Sequence, residues 1–378
     1  MRVSRIVLSA FLLQSFQTVA WAGIGGVVAV GQLAQRANLV VVATIQQVND
    51  RQLPDGSATE TIDLLVIRAL KGQVAEPSLV AKVVPGPRPA IGILSRDSVG
   101  ATGVWFLQDN ASVHEVLPLV QGAFAGRDLF VPVRVVDGEV APTGTLGRQV
   151  LAYQLRWYES LPYPSPAEDD LVFASLVHNQ GEDAGDAIAA LSSSAILNHR
   201  VPGVAAAIRL GSSDALLQVA RELETLRSRI NFNLILFTIS WYLGPMSPAT
   251  VTALEKLAAL HSDVPGLDDA IGTALAAGLG EGFGPRAAPP RIKATLPAMM
   301  LLLDSRDPTA RLRAARFFAY FAQFADAGGN VPGTGVSGPF ASADTRRFDP
   351  TEGFTMSSAQ YAQFWKAWCA KNSKQLGF

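Results

Sequence analysis

The sequence predicts an α+β chain in which an N-terminal small β-barrel or sandwich is followed by an all-α domain of helical repeats. Three observations predict it. Between residues 39 and 136 the apolar residues come in short β-branched runs cut by glycine and proline; from Gly147 onward they recur at helical spacing; and the later helices are alanine-rich and joined by short links.

The first 22 residues have the composition of an export signal. Arg2 and Arg5 form a positive start, Ile6 to Phe16 supply a short apolar stretch, and Ala20-Trp21-Ala22 is a small-x-small cleavage site before Gly23. The apolar stretch is shorter than the roughly 20 residues a spanning helix needs. Cleavage after Ala22 and a secreted or periplasmic mature protein, with no stable membrane insertion, are therefore expected. Losing Arg2 and Arg5 leaves 29 basic against 32 acidic residues, and the cations are dispersed, which speaks against a nucleic-acid partner. A single cysteine, Cys369, excludes an intramolecular disulfide, so stability must come from apolar burial. A mature chain of this length is expected to hold about two domains, here residues 23–146 and 147–378.

Within the first, Gly31 to Arg36 is a short helical lead-in and Leu39 to Ile45 a β-branched strand. Pro54, Asp55 and Gly56 mark a turn. Thr59 to Leu70 is a second strand with Ile62, Leu64 and Val66 on one face, Leu79 to Val84 a third, and Pro85-Gly86-Pro87-Arg88-Pro89 breaks it. Further strands are predicted at Thr102 to Gln108, Val113 to Val120 and Leu129 to Val136. Several short strands with such punctuation suit a barrel or sandwich. The segments Asn38 to Ile45, Val66 to Gly72 and Gly103 to Leu107 resemble the small barrels of exported bacterial proteins related to the OB or netrin-like fold. Netrin-like inhibitors use a cysteine at the mature N-terminus, where this chain has Gly23, so the resemblance extends to the barrel and not to inhibition.

In the second, helices are predicted at Arg148 to Leu161, Asp183 to Ser193, Pro202 to Leu210, Asp214 to Arg227, Asn231 to Tyr242, Pro248 to His261, Leu267 to Gly278, Pro290 to Leu303, Asp307 to Phe324 and Ser358 to Asn372, with Pro162 to Pro166 as a breaker and hinge. Ile292, Leu296, Met299, Met300 and Leu303 form one stripe. Asp307 is an N-cap, Pro308 suits the first helical turn, and Leu312, Ala315, Ala319 and Ala322 continue the apolar face. Leu302-Leu303-Asp304, Asp307-Pro308, Arg311 and Ala314-Ala315 resemble the HEAT-repeat family, with Ala310 where that family usually has valine. The resemblance implies stacked helix pairs.

No catalytic or metal-binding signature emerges, and no cofactor is implied. His114, His178, His199 and His261 are scattered; His114 and Glu115 on a strand point to opposite faces, and His178 with Glu182 and Asp183 lies in a polar connection. Gly335-Val336-Ser337-Gly338-Pro339 lacks the second glycine of a nucleophile elbow. Gly278 to Gly284 follows a helix rather than a strand and is a loop. Cys369 sits among apolar neighbours as an inert thiol. Glu168-Asp169-Asp170 opens an apolar helix, where acids suit the dipole.

The segment from Asp326 to Phe354 is long, rich in glycine, proline and serine, and flanked by aromatic helices. Arg346, Arg347, Phe348, Phe354, Tyr361 and Trp365 are the candidate partner-binding residues, since arginines and aromatics dominate binding hot spots; the same aromatics also suit a cap that closes the helical stack. The expected function is an extracytoplasmic protein-binding or scaffolding protein without catalytic activity, its partner another protein or peptide. The alternative is a hydrolase with an acidic site between the domains, for which Asp169 and Asp170 are the nameable acids.

Overall fold

A computed structural model describes residues 29–52, 58–83, 99–110, 113–117, 133–136, 142–178, 182–242, 247–277, 289–326, 330–331, 336–337, 345, 347–350 and 356–376. The expected export signal, the predicted turn at Pro54 to Gly56, the predicted break at Pro85 to Pro89, the predicted loop at Gly278 to Gly284 and the candidate residues Arg346 and Phe354 lie outside the described residues. The chain forms two compact units, Met1–Gly203 and Val204–Phe378.

The first unit is built on a closed five-stranded barrel. Strands β1 (Leu39–Gln52), β2 (Ala58–Lys71), β3 (Ser78–Val83), β4 (Thr102–Asn110) and β5 (Val113–Val116) follow the order β1-β2-β3-β5-β4, and β4 pairs back onto β1. The β3–β5 pairing is parallel and the others antiparallel. A short β6 (Val133–Arg134) extends β4 beside β5. Among the described residues, the predicted strands at 113–120 and 129–136 are strand at Val113–Val116 and Val133–Arg134. After β5, Leu117 N–H turns back to the Phe106 carbonyl, and the next residue, Pro118, has no N–H to continue a ladder.

Strand alternation explains why β1 is apolar on both faces. Leu39, Val41, Ala43 and Ile45 point into the barrel with Ile62, Leu64, Ala81, Trp105, Leu107 and Val116. Val40 and Val42 point outward, where with Val104, Phe106 and Val133 they pack under α1 (Val30–Arg36) and α2 (Leu146–Glu159) through Leu33, Val150 and Tyr153. A strand buried on both sides loses the polar half of its pattern. The Trp105 indole donates to the Ala43 carbonyl inside the barrel at 3.1 Å. Lys71 at the end of β2 donates to the Ala34, Gln35 and Ala37 carbonyls and so caps α1. The following Gly72 has φ +79°, and a Cβ there would meet the Asn38 carbonyl at 3.0 Å.

The change from strands to helices falls at Leu146, inside the first unit, because α2 supplies part of the barrel's outer cover. Next come α3 (Pro166–His178), α4 (Glu182–Ser192), a 3-10 turn (Leu197–His199) and the start of α5 (Arg200–Arg209). The breaker predicted at Pro162 to Pro166 is followed at once by α3. Ser165 and Glu168 form a reciprocal capping box, with Glu168 N–H reaching Ser165 Oγ and Ser165 N–H reaching Glu168 Oε2.

The second unit is a helical stack. Its helices are α6 (Ser213–Leu226), α7 (Phe232–Tyr242), α8 (Pro248–Ala258), α9 (Leu267–Ala277), α10 (Pro289–Leu302), α11 (Pro308–Asp326) and α12 (Ser358–Leu376). Up to α11 the main packing is between alternate helices: α6 on α8 and α8 on α10 make one row, α7 on α9 and α9 on α11 the other, and α12 packs on α11. The first two pairs repeat at 35 residues, from Ser213 to Pro248 and from Phe232 to Leu267; the third comes 41 residues later, at Pro289 and Pro308. Ser212 and Ser247 cap α6 and α8 at equivalent positions through Ala215 N–H and Thr250 N–H. Arg313 on α11 donates to Asp269 on α9 at 2.9 Å, joining successive pairs across one row. Beside it, a Cβ at Gly272 would approach the Arg313 stem at 3.0 Å, so a small residue leaves the guanidinium its path.

Candidate functional site

The aromatic cluster forms as a packed end to the stack. Trp365 and Tyr361 on α12 are 0% and 2% exposed. Trp365 lies 6.3 Å from the Phe318 ring of α11 in a stacked arrangement, and Trp368 meets both. The Trp365 indole donates to the Phe348 carbonyl at 2.9 Å, and the Phe348 ring stacks on Phe364 at 4.0 Å. Phe348 is thereby held against α12, and Thr345 and Asp349 are buried. Of the candidate partner-binding residues that are described, Arg347 is exposed, 6.0 Å from the Phe348 ring, and Phe348 is half-buried. Cys369 lies buried in the same helix, and burial pushes its thiol up to about 12, leaving it protonated and unreactive near neutrality.

Asp169 belongs to a buried cluster within the first unit. The Tyr158 hydroxyl at the end of α2 donates to its carboxylate at 2.5 Å, and Tyr158 is held far above the ordinary phenol range, first by burial and then by that carboxylate. The His199 ring lies 5.0 Å from Tyr158, and its Nε2–H donates to the Leu161 carbonyl. All three side chains are at most 3% exposed. The arrangement ties α2, α3 and the 3-10 turn together. His114 pairs with Asp109 across β4 and β5 at 2.6 Å, and burial lowers the pKa of His178 at the end of α3. Among the described residues no three histidines, cysteines or carboxylates converge as metal ligands would.

A different site emerges where the turns within successive helix pairs line up along one edge of the stack. The first pocket, about 310 Å³, is lined by Arg227, Arg229, Ile230, Phe232, Leu236 and the Val264-Pro265 turn. The second, about 340 Å³, lies on the other side of that turn and is lined by Ser262, Asp263, Val264, Pro265, Asp268, Arg306 and Asp307. The two pockets share Val264 and Pro265 as a common wall. Arg227 bonds Asp263 at 2.6 Å and thereby ties the α6–α7 turn to the α8–α9 turn. His261, which enters that turn, takes a left-handed backbone with φ 44°.

Asp268 is the unusual group of this edge. It stands in the first turn of α9, is 5% exposed, and its Oδ1 has no hydrogen-bond donor among the described residues. Burial raises its pKa, opposed by a hydrogen bond from Ser305 and by the nearby His261. A desolvated carboxylate oxygen with no donor costs about 1–3 kcal/mol. Asp307 differs: its Oδ1 accepts the Thr309 N–H and caps α11 at 2.8 Å. Ile230 at the edge is an exposed apolar residue, 77% accessible.

Sequence reasoning missed this site. Asp268-Asp269 in isolation is an ordinary acidic helix start; the available signal was the 35-residue register, which aligns Asn233 with Asp268 and the turn before α7 with the turn before α9. Comparison of the chain with protein-family models, with curated proteins and with solved structures finds no match.

Proposed function

We propose that this chain is an extracytoplasmic, non-catalytic protein that binds or scaffolds another protein through its helical stack. Two-row packing of alternate helices, the Arg313–Asp269 link between pairs and the Asp307-Pro308 turn support a HEAT-like repeat. The strand order β1-β2-β3-β5-β4, closed by β4 on β1 with β3 and β5 parallel, supports an OB-like barrel in the first unit. The observation that carries the reading is the pocketed turn edge. Repeat stacks leave their turns as a regular exterior, and here two successive turns frame adjoining pockets around a carboxylate with an unsatisfied oxygen.

Of the two acids named for a hydrolase, Asp169 and Asp170, the first is engaged by Tyr158 and buried, which favours the binding reading. Affinity capture from the extracytoplasmic fraction, with chemical cross-linking, tests it. One protein recovered at near-stoichiometric yield is expected. Failure to recover any such species overturns the reading. Retention of that partner by a chain lacking residues 326–354 removes the segment around Arg347 and Phe348 from the interface. Export is checked separately: the mature chain is expected to begin at Gly23, and intact Met1 in a cytosolic fraction defeats that part.

A further inference from the structure

We infer that the turn edge of the helical stack takes an extended segment of a partner protein, which places a lysine or arginine against Asp268 and an apolar side chain in the adjoining pocket. This rests on the binding reading above and names the chemistry of the bound segment. The basic residue follows from the Asp268 carboxylate, which lines the second pocket, lies 95% buried by its 5% exposure, and has an oxygen lacking a donor. An ammonium or guanidinium entering from the pocket supplies that donor together with the compensating charge. The neighbouring acids are already committed, Asp263 to Arg227 and Asp307 to the Thr309 amide. Arg306 lines the same pocket and disfavours a bare divalent ion there, whereas a peptide can bring a carbonyl to it.

The apolar residue follows from the first pocket, where Phe232, Leu236, Val264 and Pro265 form walls beside the exposed Ile230. Spacing links the two. The pockets lie on either side of one turn of a stack whose neighbouring helices pack about 8–10 Å apart. A polyproline II segment brings residues i and i+3 to one face about 9 Å apart. An apolar and a basic residue three positions apart in an extended segment therefore match the two seats.

The probes are the synthetic peptides Ac-Leu-Pro-Pro-Arg-NH2 and its reverse, Ac-Arg-Pro-Pro-Leu-NH2, with glutamine in place of arginine as the control, titrated into the full-length isotope-labelled protein. Amide shifts are expected at Ser262 to Gly266 and at Arg306 to Asp307 for at least one arginine peptide. The glutamine control and Asp268→Asn are each expected to weaken binding about tenfold or more, as for a charge-assisted bond removed. An unchanged thermal midpoint for Asp268→Asn, or a raised one, keeps a loss of binding from being a loss of fold. Absence of shifts at these turns, or equal shifts with glutamine, overturns the inference. If affinity capture yields a partner whose cross-links map away from residues 262–307, this inference falls while the binding reading stands; if capture yields nothing, the binding reading falls first.

Discussion

The two units spend their side chains differently. The barrel closes on itself, so the inward residues of β1 to β5 pack against one another, and the outward residues of β1 and β4 are covered by α1 and α2. On β2 and β3 the outward face stays open, with Ile67 61% and Val80 56% exposed. Among the described residues the helical stack does not close on itself. Its helices bury their faces row against row, while the turns at its edge remain outside the core and keep polar groups such as the Asp268 carboxylate incompletely satisfied. Closure uses up surface; stacking leaves the turns between helices along an edge.

The largest effect expected on this contrast is in the barrel. Trp105→Ala removes a side chain 1% exposed together with its bond to the Ala43 carbonyl, and is expected to cost about 3–5 kcal/mol in urea unfolding, with faster amide exchange in β1 and β4. A loss below about 1 kcal/mol would mean the barrel interior is not a closed core. Gly203→Ala tests close approach: its Cβ would lie 2.7 Å from Ser192 N and 2.8 Å from Leu191 Cβ, so a loss of about 1–3 kcal/mol is expected. Unchanged stability would show that α4 and α5 separate easily.

Smaller effects address the stack. Ser247→Ala removes the cap on Thr250 N–H and is expected to cost about 1 kcal/mol, and Ser212→Ala a similar amount at the equivalent turn. Thermal unfolding of both variants decides whether the 35-residue register has equal energetic weight in the two pairs. The smallest change is pH-dependent. Because burial raises the Asp268 pKa, the folded protein holds that proton to higher pH than the unfolded chain, and the cost of ionising it is present at neutral pH and absent below the ordinary carboxylate value near 4. Asp268→Asn is therefore expected to gain stability over the parent at pH 7 and to lose that gain as pH falls towards about 4. A difference independent of pH would contradict the desolvated seat.

Much of the fold was legible because it is written in local period. The stripe through Leu296, Met299 and Leu303 and the Asp307-Pro308 start both appear as buried face and helix start. Helix α3 is legible in the sequence only at its start, as the apolar helix that Glu168-Asp169-Asp170 opens: residues 171–177 are buried all round, so a 3.6-residue pattern has no polar side to contrast with, and Pro166, assigned to the breaker, is its first residue, within the Ser165 to Glu168 capping box. Strand β1 continues past Ile45 to Gln52 because backbone pairing with β2 does not require apolar side chains.

By itself, then, the sequence determined that strands precede helices, where most helices begin and end, and that the aromatics around Trp365 gather on one helix. Those features depend on residues within a few positions of one another, through period, capping and turn chemistry. Tertiary structure alone decided that β4 closes on β1, that α2 covers the barrel from outside, that Tyr158 engages Asp169, and that Asp268 is buried beside Ser305 and Asp307. Each joins residues on different elements, and the desolvation that sets Asp268 apart from an ordinary solvated acid at a helix start exists only once neighbouring turns have excluded water from it.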